Sequence, residues 1–91
     1  MRATLDPGKA ARNRDKHGVS LAFGAEVLAD AYRLDVLDVR VADVEERVVS
    51  YGMVGNRVWV CVFTMRSGVY RIISVRKANG RETKRYKDTP R

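Results

Sequence analysis

Ninety-one residues, 45% of them hydrophobic with seven glycines and two prolines, describe one small globular domain over residues 1–91 with a modest core. One cysteine and one histidine exclude an internal disulfide and a structural zinc site, and no cofactor is expected. The net charge of +7 is unevenly placed: residues 1–65 carry nine Lys/Arg against nine Asp/Glu, whereas residues 66–91 carry nine Lys/Arg against Glu82 and Asp88 alone, which points to a polyanionic partner.

No apolar segment of signal-peptide length opens the chain and no run approaches a membrane span, so a cytoplasmic protein without a membrane role is expected. Residues 6–17, "DPGKAARNRDKH", read as a first helix. Asp6 is placed to cap it, Pro7 suits the first helical position, and Gly18 can close the end in a left-handed conformation. Ser20 then caps a second helix predicted over 21–30, whose Leu21, Phe23, Ala25, Val27 and Leu28 cover most of its circumference and call for burial.

From residue 34 the period changes. "LDVLDV" is a short strand candidate, followed by an acidic link through Asp43, Glu45 and Glu46. "RVVSYGMV" (47–54), "RVWVCVFTM" (57–65) and "YRIISVRK" (70–77) are rich in β-formers, with Gly55-Asn56 and Ser67-Gly68 where tight hairpin turns belong. Cys61, inside "VWVCVF", reads as a reduced, buried apolar filler. Asn79 begins a last helix with Glu82 three positions on, a variant of the capping box, and residues 87–91 read as a flexible tail. The fold class is α+β: two N-terminal helices, an antiparallel sheet of about four strands and a C-terminal helix.

Symmetric turns set a register. The first pairs Tyr51 with Val60, Val49 with Val62 and Arg47 with Thr64, and the second pairs Val62 with Ile73 and Thr64 with Arg71. Arg47, Thr64, Arg66 and Arg71 then converge at one end of one sheet face, where an anion or a nearby acid such as Glu45 must offset the repulsion. A one-residue bulge would reassign the faces.

The blocks "DPGKAARNRDKHGVS", "EERVVSYG", "VFTMR" and "RIISVRKANGRETKRY" stand in an order and spacing that resemble the BrnT family over roughly residues 5–86. The resemblance implies an RNA-cleaving toxin of a bacterial type II toxin–antitoxin system, with a fold similar to RelE-type ribonucleases. It also implies a cognate BrnA-like antitoxin with a ribbon-helix-helix part, in a two-plus-two complex that binds operator DNA through the antitoxin. Leu5, Val75, Lys77 and Asn79 depart from the family's usual residues. Lys77 matters most, because lysine is a point charge where arginine offers a planar fork to phosphate.

RNA cleavage without a metal needs a base for the ribose 2′-hydroxyl, charge stabilisation at the phosphorus, and a proton for the leaving oxygen. Arginines suit the second task, and Arg66, Arg76 and Arg81 are the candidates, with Thr64 adding a hydroxyl hydrogen bond. His17 titrates near neutrality, but its place at a helix end has a structural reading in satisfying carbonyls. Glu82 among arginines is a second candidate base with a capping role beside it. Tyr86 shares the face of Glu82 one turn on and can donate a proton, stack on a base, or pack the helix on the sheet. Arg47, Arg71, Lys77, Lys84 and Arg85 are assigned to RNA binding, with Lys87 adding to the steering charge. Trp59 and Phe63 read as core rather than a stacking platform. The same basic end would also serve a non-catalytic nucleic-acid-binding module, or a toxin-like interaction protein without activity.

Overall fold

Three helical starts are fixed by side chains legible as caps, Asp6, Ser20 and Asn79. The computed structural model describes residues 1–38 and 46–90. Strand β1 (Ala3–Leu5) leads into α1 (Pro7–His17), where Asp6 Oδ1 accepts the N–H groups of Gly8 and Lys9 at 2.8 and 3.2 Å. Gly18, at φ 76°, closes α1 by donating its N–H to the Arg14 carbonyl, so the C-terminal cap belongs to Gly18 and not to the His17 ring.

The continuous helix expected over 21–30 is instead a 3₁₀ turn (Leu21–Phe23) running into a short α2 (Gly24–Leu28). Asp30 explains the early stop. Its carboxylate accepts the N–H groups of Tyr32 and Met53, both at 2.8 Å, which draws the chain out of the helix and ties it to the sheet.

Strands β2 (Leu34–Asp38), β3 (Arg47–Val54), β4 (Arg57–Arg66) and β5 (Val69–Lys77) follow, and α3 (Gly80–Asp88) ends the described fold. Lys87 and Asp88, expected in the tail, are therefore helical, while Asp43 and Glu45 of the expected acidic link lie outside the described residues. The class is α+β, but the sheet is five-stranded and mixed rather than four-stranded and antiparallel, in the order β1-β5-β4-β3-β2. The added strand is β1, parallel to β5 with Ala3, Thr4 and Leu5 opposite Tyr70, Arg71 and Ile72. Its three residues are all exposed, so no apolar alternation marks it; only its partner makes it a strand.

One sheet face is covered by α1, the 3₁₀ turn and α2. Leu21, Val27 and Leu28 pack there on Cys61, Phe63, Ile72 and Val75. Full burial of side chains such as Leu21 and Val27 stabilises by roughly 1.5–3 kcal/mol each. The approach is close: a Cβ on Gly52 would lie 2.3 Å from the Val27 carbonyl oxygen. Cys61 is fully buried in this core, and burial pushes its thiol up to about 12, which makes it the inert filler expected. On the other face Tyr86 and Ala78 pack over Tyr51, Val58 and Val60.

Tyr51 pairs with Val60 and Val49 with Val62, and Thr64 with Arg71, as the turns require. The expected Val62–Ile73 pair is wrong. Val62 faces Ser74 and Phe63 faces Ile72, leaving Ile73 as the extra residue of a β-bulge. The bulge reverses the alternation of β5, so Arg71, Ser74 and Arg76 share the α3 face while Ile72 and Val75 both enter the helix-side core.

Pairing with β1 ends at Ile72, and beyond it the outer edge of β5 is met by a side chain. Asn13 of α1 accepts the Val75 N–H at 3.0 Å and donates to the Val75 carbonyl at 2.9 Å, with a second donation to the Val19 carbonyl at 2.9 Å. Asn13 is the one buried residue of α1, so its carboxamide does for this edge what a further strand would do. Asn13→Leu is expected to destabilise the protein by about 2–4 kcal/mol, because two buried backbone groups lose their partners. Chemical denaturation measures this, and a loss below about 0.5 kcal/mol would mean that the edge is satisfied some other way.

Candidate nucleic-acid interface

Three of the expected residues meet at the free end of the α3 face. Thr64 on β4 faces Arg71 on β5 in the ladder, and Arg66 follows two residues along β4 on the same side. Thr64 is 4% exposed, and its Oγ1 is a buried hydroxyl without a hydrogen-bond partner among the described residues. Arg66 and Arg71 line an open cavity of about 610 Å³ with Thr4, Leu5, Asp6, Pro7, Ser67 and Val69. Arg47 does not join them through a ladder pair: the β3–β4 pairing stops at Val48–Phe63, and Arg47 instead faces Asp38 on β2.

A second cluster lies where β5 meets α3. Arg76, turned onto this face by the bulge and opposite Val60, holds Glu82 through two parallel hydrogen bonds of 2.8 Å. Glu82 Oε1 also accepts the Asn79 N–H at 2.9 Å, while Asn79 Oδ1 accepts the Glu82 N–H at 2.8 Å, so the capping box and the ion pair share one carboxylate. With a further contact from Arg76 Nη1 to the Lys77 carbonyl at 3.3 Å, part of the five-donor guanidinium fork remains open toward the sheet. Hydrogen bonding from Arg76 holds the Glu82 carboxyl below its usual range, so it is ionised and a weak proton acceptor.

His17 ends α1 and lines a groove with Ser74, two residues before Arg76 on β5. It is half-buried, and burial foremost, then the charges of Lys16 and Arg76, push its pKa below the usual value; the ring is neutral at physiological pH. Lys9, Arg12, Asn13, Lys16 and His17 line a groove of about 240 Å³ against Ile73 and Ser74 of β5. Lys9, Arg12 and Lys16 were not legible as site residues while α1 was read only for its caps. Their i, i+3, i+7 spacing was the available signal.

The remaining candidates disperse. Lys77 faces Trp59 on the helix-covered side, away from Arg76. Arg81, Lys84 and Arg85 are exposed on α3, and Lys84 pairs with Asp88 one turn on. Tyr86 is buried in the α3 contact and donates its hydroxyl proton to Asp30, so it holds α3 to the fold. Trp59 and Phe63 pack inside, Trp59 edge-on to Phe23 at 4.7 Å and Phe63 against Tyr70 at 4.9 Å. No group of three or more His, Cys, Asp or Glu able to hold a metal lies among the described residues. No helix among the described residues is long and apolar enough to cross a membrane.

Arg71 and Arg76 are thus on one face but not at one phosphate. Their β4 partners, Thr64 and Val60, are four residues apart, roughly 13 Å along the strand.

The Glu82 carboxylate has a pH consequence. Its folded pKa is depressed, so its stabilisation is full above the usual 4.5 and is lost as pH falls through the lower folded value. Glu82→Gln is expected to cost about 1 kcal/mol or less at neutral pH, since the pair is partly solvent-screened, and to flatten stability against pH in the acid range. Denaturation at a series of acid pH values measures both. Identical acid profiles for variant and parent would show that the pair does not couple α3 docking to protonation.

The family model described as ribonuclease toxin, BrnT, of type II toxin-antitoxin system matches residues 5–82. No curated protein matches the chain.

Proposed function

The chain belongs to the BrnT family of ribonuclease toxins of type II toxin–antitoxin systems, and from that premise we propose that its α3 face cleaves RNA without a metal, by attack of a ribose 2′-hydroxyl on the adjacent phosphate. The observation that carries this reading is the corner at Arg76, an oriented guanidinium two residues along β5 from Ser74, which lines one groove with His17. There His17 takes the 2′-hydroxyl proton, and Arg76 stabilises charge developing on the phosphorus oxygens, with Arg81, exposed in the first turn of α3, adding positive charge from farther out. The departing 5′-oxygen takes its proton from solvent, and the upstream fragment keeps a 2′,3′-cyclic phosphate. Glu82 is the alternative base, but its engagement by Arg76 favours a role in orienting that arginine.

Thr64, Arg66 and Arg71 hold a phosphate farther along the same strand, which would satisfy the buried Thr64 hydroxyl. Arg47, Lys77, Lys84 and Arg85 add steering charge from farther out. In the cell the activity stops growth or translation until a BrnA-like ribbon-helix-helix antitoxin covers the basic end. Toxin and antitoxin then form a two-plus-two complex that binds operator DNA through the antitoxin. An acidic segment on that antitoxin would complement the +7 of residues 66–91.

A second reading, a nucleic-acid-binding protein without catalysis, is favoured by one observation: Arg76 and Glu82 already engage one another. Antitoxin-free protein incubated with RNA in EDTA separates the two. Cleavage leaving cyclic or 3′-phosphate ends is expected. Activity abolished by EDTA and restored by Mg²⁺ would overturn the mechanism, and tight binding without cleavage would select the second reading.

Substitutions apportion the roles. Arg76→Lys keeps the charge but loses the fork, and should lower kcat by about 10²-fold, the scale for one preorganised donor. Arg66→Ala should act mainly on KM. Lys84→Ala should weaken binding only slightly and in a salt-dependent manner. Steady-state kinetics on a short RNA measures all three, and equal small effects would mean that no arginine acts at the reacting phosphate.

A further inference from the structure

The two arginine clusters that meet β5 at Arg71 and Arg76 are separated by roughly 13 Å of strand, with Ile72, Ile73, Ser74 and Val75 between them. Helix α1 runs alongside that gap. Its first residue, Pro7, lines the cavity of Arg66 and Arg71; Asn13, midway, is bonded to Val75; and His17, its last, lines the groove with Ser74, two residues short of Arg76. Lys9, Arg12 and Lys16 share the helix face that borders the groove against Ile73 and Ser74, and span seven residues, roughly 10 Å of helix. None of the three enters an ion pair among the described residues.

Charge counting along the sequence hides this feature. The N-terminal 65 residues are neutral as a set, but Asp6, which caps α1 close to the charges of Lys9 and Arg12, and Asp15 are the only acids that α1 brings with it. Glu26 on α2, and Asp35 and Asp38 on β2, belong to elements toward the far edge of the sheet, while Lys9, Arg12 and Lys16 stand beside β5. The basic surface is therefore larger than the C-terminal segment and continues onto α1.

We propose that the α1–β5 groove is a phosphodiester-binding subsite in which Lys9, Arg12 and Lys16 carry the RNA strand from the Arg66–Arg71 cluster to the reacting phosphate at Arg76. The inference rests on the ribonuclease reading above and gives it a strand path. Over roughly 10 Å a strand presents about two or three phosphates, taking about 3.4 Å of axis per phosphate as in a duplex strand. The groove has almost no apolar lining: Ile73, half-buried, is its only large hydrophobic residue. A protein partner held for long would need apolar anchors there, whereas a phosphate backbone needs only the cations. Sequence preference is not expected from this subsite, because such contacts position the strand without reading bases.

The test uses free toxin, a non-cleavable 2′-O-methyl RNA of about 12 nucleotides, and a cleavable RNA only two or three nucleotides long. Replacing Lys9 and Arg12 together by Gln, which leaves Lys16 beside His17 in place, should weaken 12-mer binding and flatten the slope of log K against log salt by about 1.4, two contacts at about 0.7 each for a single strand. Cleavage of the short RNA, which does not reach the groove, should keep its kcat. Arg14→Gln, off the groove face of the same helix, should change neither. Wild-type binding with an unchanged slope in the double variant would overturn the subsite and leave the ribonuclease reading standing. Failure of the wild type to bind the 12-mer, or to cleave any RNA, would remove both. If the double variant bound RNA normally but lost salt-dependent association with the antitoxin, the groove would be a protein-docking surface instead.

Discussion

One carboxamide sets helix α1 and its cations against β5. Strand β1 is too short to accompany β5 to its end, and the Val75 N–H and carbonyl would be left as an unpaired edge beside the core. Asn13 meets both groups from a helix that otherwise buries little of itself. The same bonds hold α1 parallel to β5, seal the helix-side core along Ala10, Val19 and Leu21, and bring the cationic stripe of α1 to the strand. Alanine, leucine or aspartate could not replace it: the site demands a donor and an acceptor on one planar group.

The bulge at Ile73 is the complementary device on β5. By adding one residue it lets Ile72 and Val75 both point into the helix-side core and turns Arg76 onto the opposite face. There the guanidinium fork finds Glu82, and α3 docks through that pair and through Tyr86 on Asp30. α3 is otherwise polar, with Tyr86 its one buried residue, so it is held mainly by electrostatic and hydrogen-bonding contacts at one end and an aromatic plug at the other. The surface proposed to bind RNA is built on this lightly anchored helix and on a strand gripped by a side chain. Both are features that a partner could reshape at moderate cost.

Local chemistry carried much of this fold into the sequence. Asp6, Pro7 and Gly18 around α1, Ser20 before Leu21, and the Asn79–Glu82 box act on backbone groups within a few residues, so their meaning does not depend on the rest of the chain. The turns at Gly55-Asn56 and Ser67-Gly68 are similar: Ser67 and Gly68 take φ of 52° and 77°, which the hairpin requires. What was illegible is non-local. β1 has no pattern of its own and exists through Tyr70, Arg71 and Ile72. Asn13 looks like any polar residue of an exposed basic helix until β5 is beside it. The bulge follows from packing Val75 inward, and the predicted α2 was shortened by an aspartate whose main-chain partner, Met53, is 23 residues away. The site divides along the same line. Thr64 and Arg71 were paired correctly because they lie on the turn side of the bulge, whereas Lys77 fell on the wrong face and the α1 cations were passed over because they lie on its far side or off the sheet.

The central claim is that β5, flanked by α1, is the axis of RNA binding. Amide chemical-shift mapping of the free toxin, titrated with non-cleavable RNA, tests it directly. Perturbations running through residues 9–17, 64–66 and 71–76, with β2 silent, are the result this account predicts. Perturbations confined to the exposed side of α3, with α1 and β5 unchanged, would contradict it.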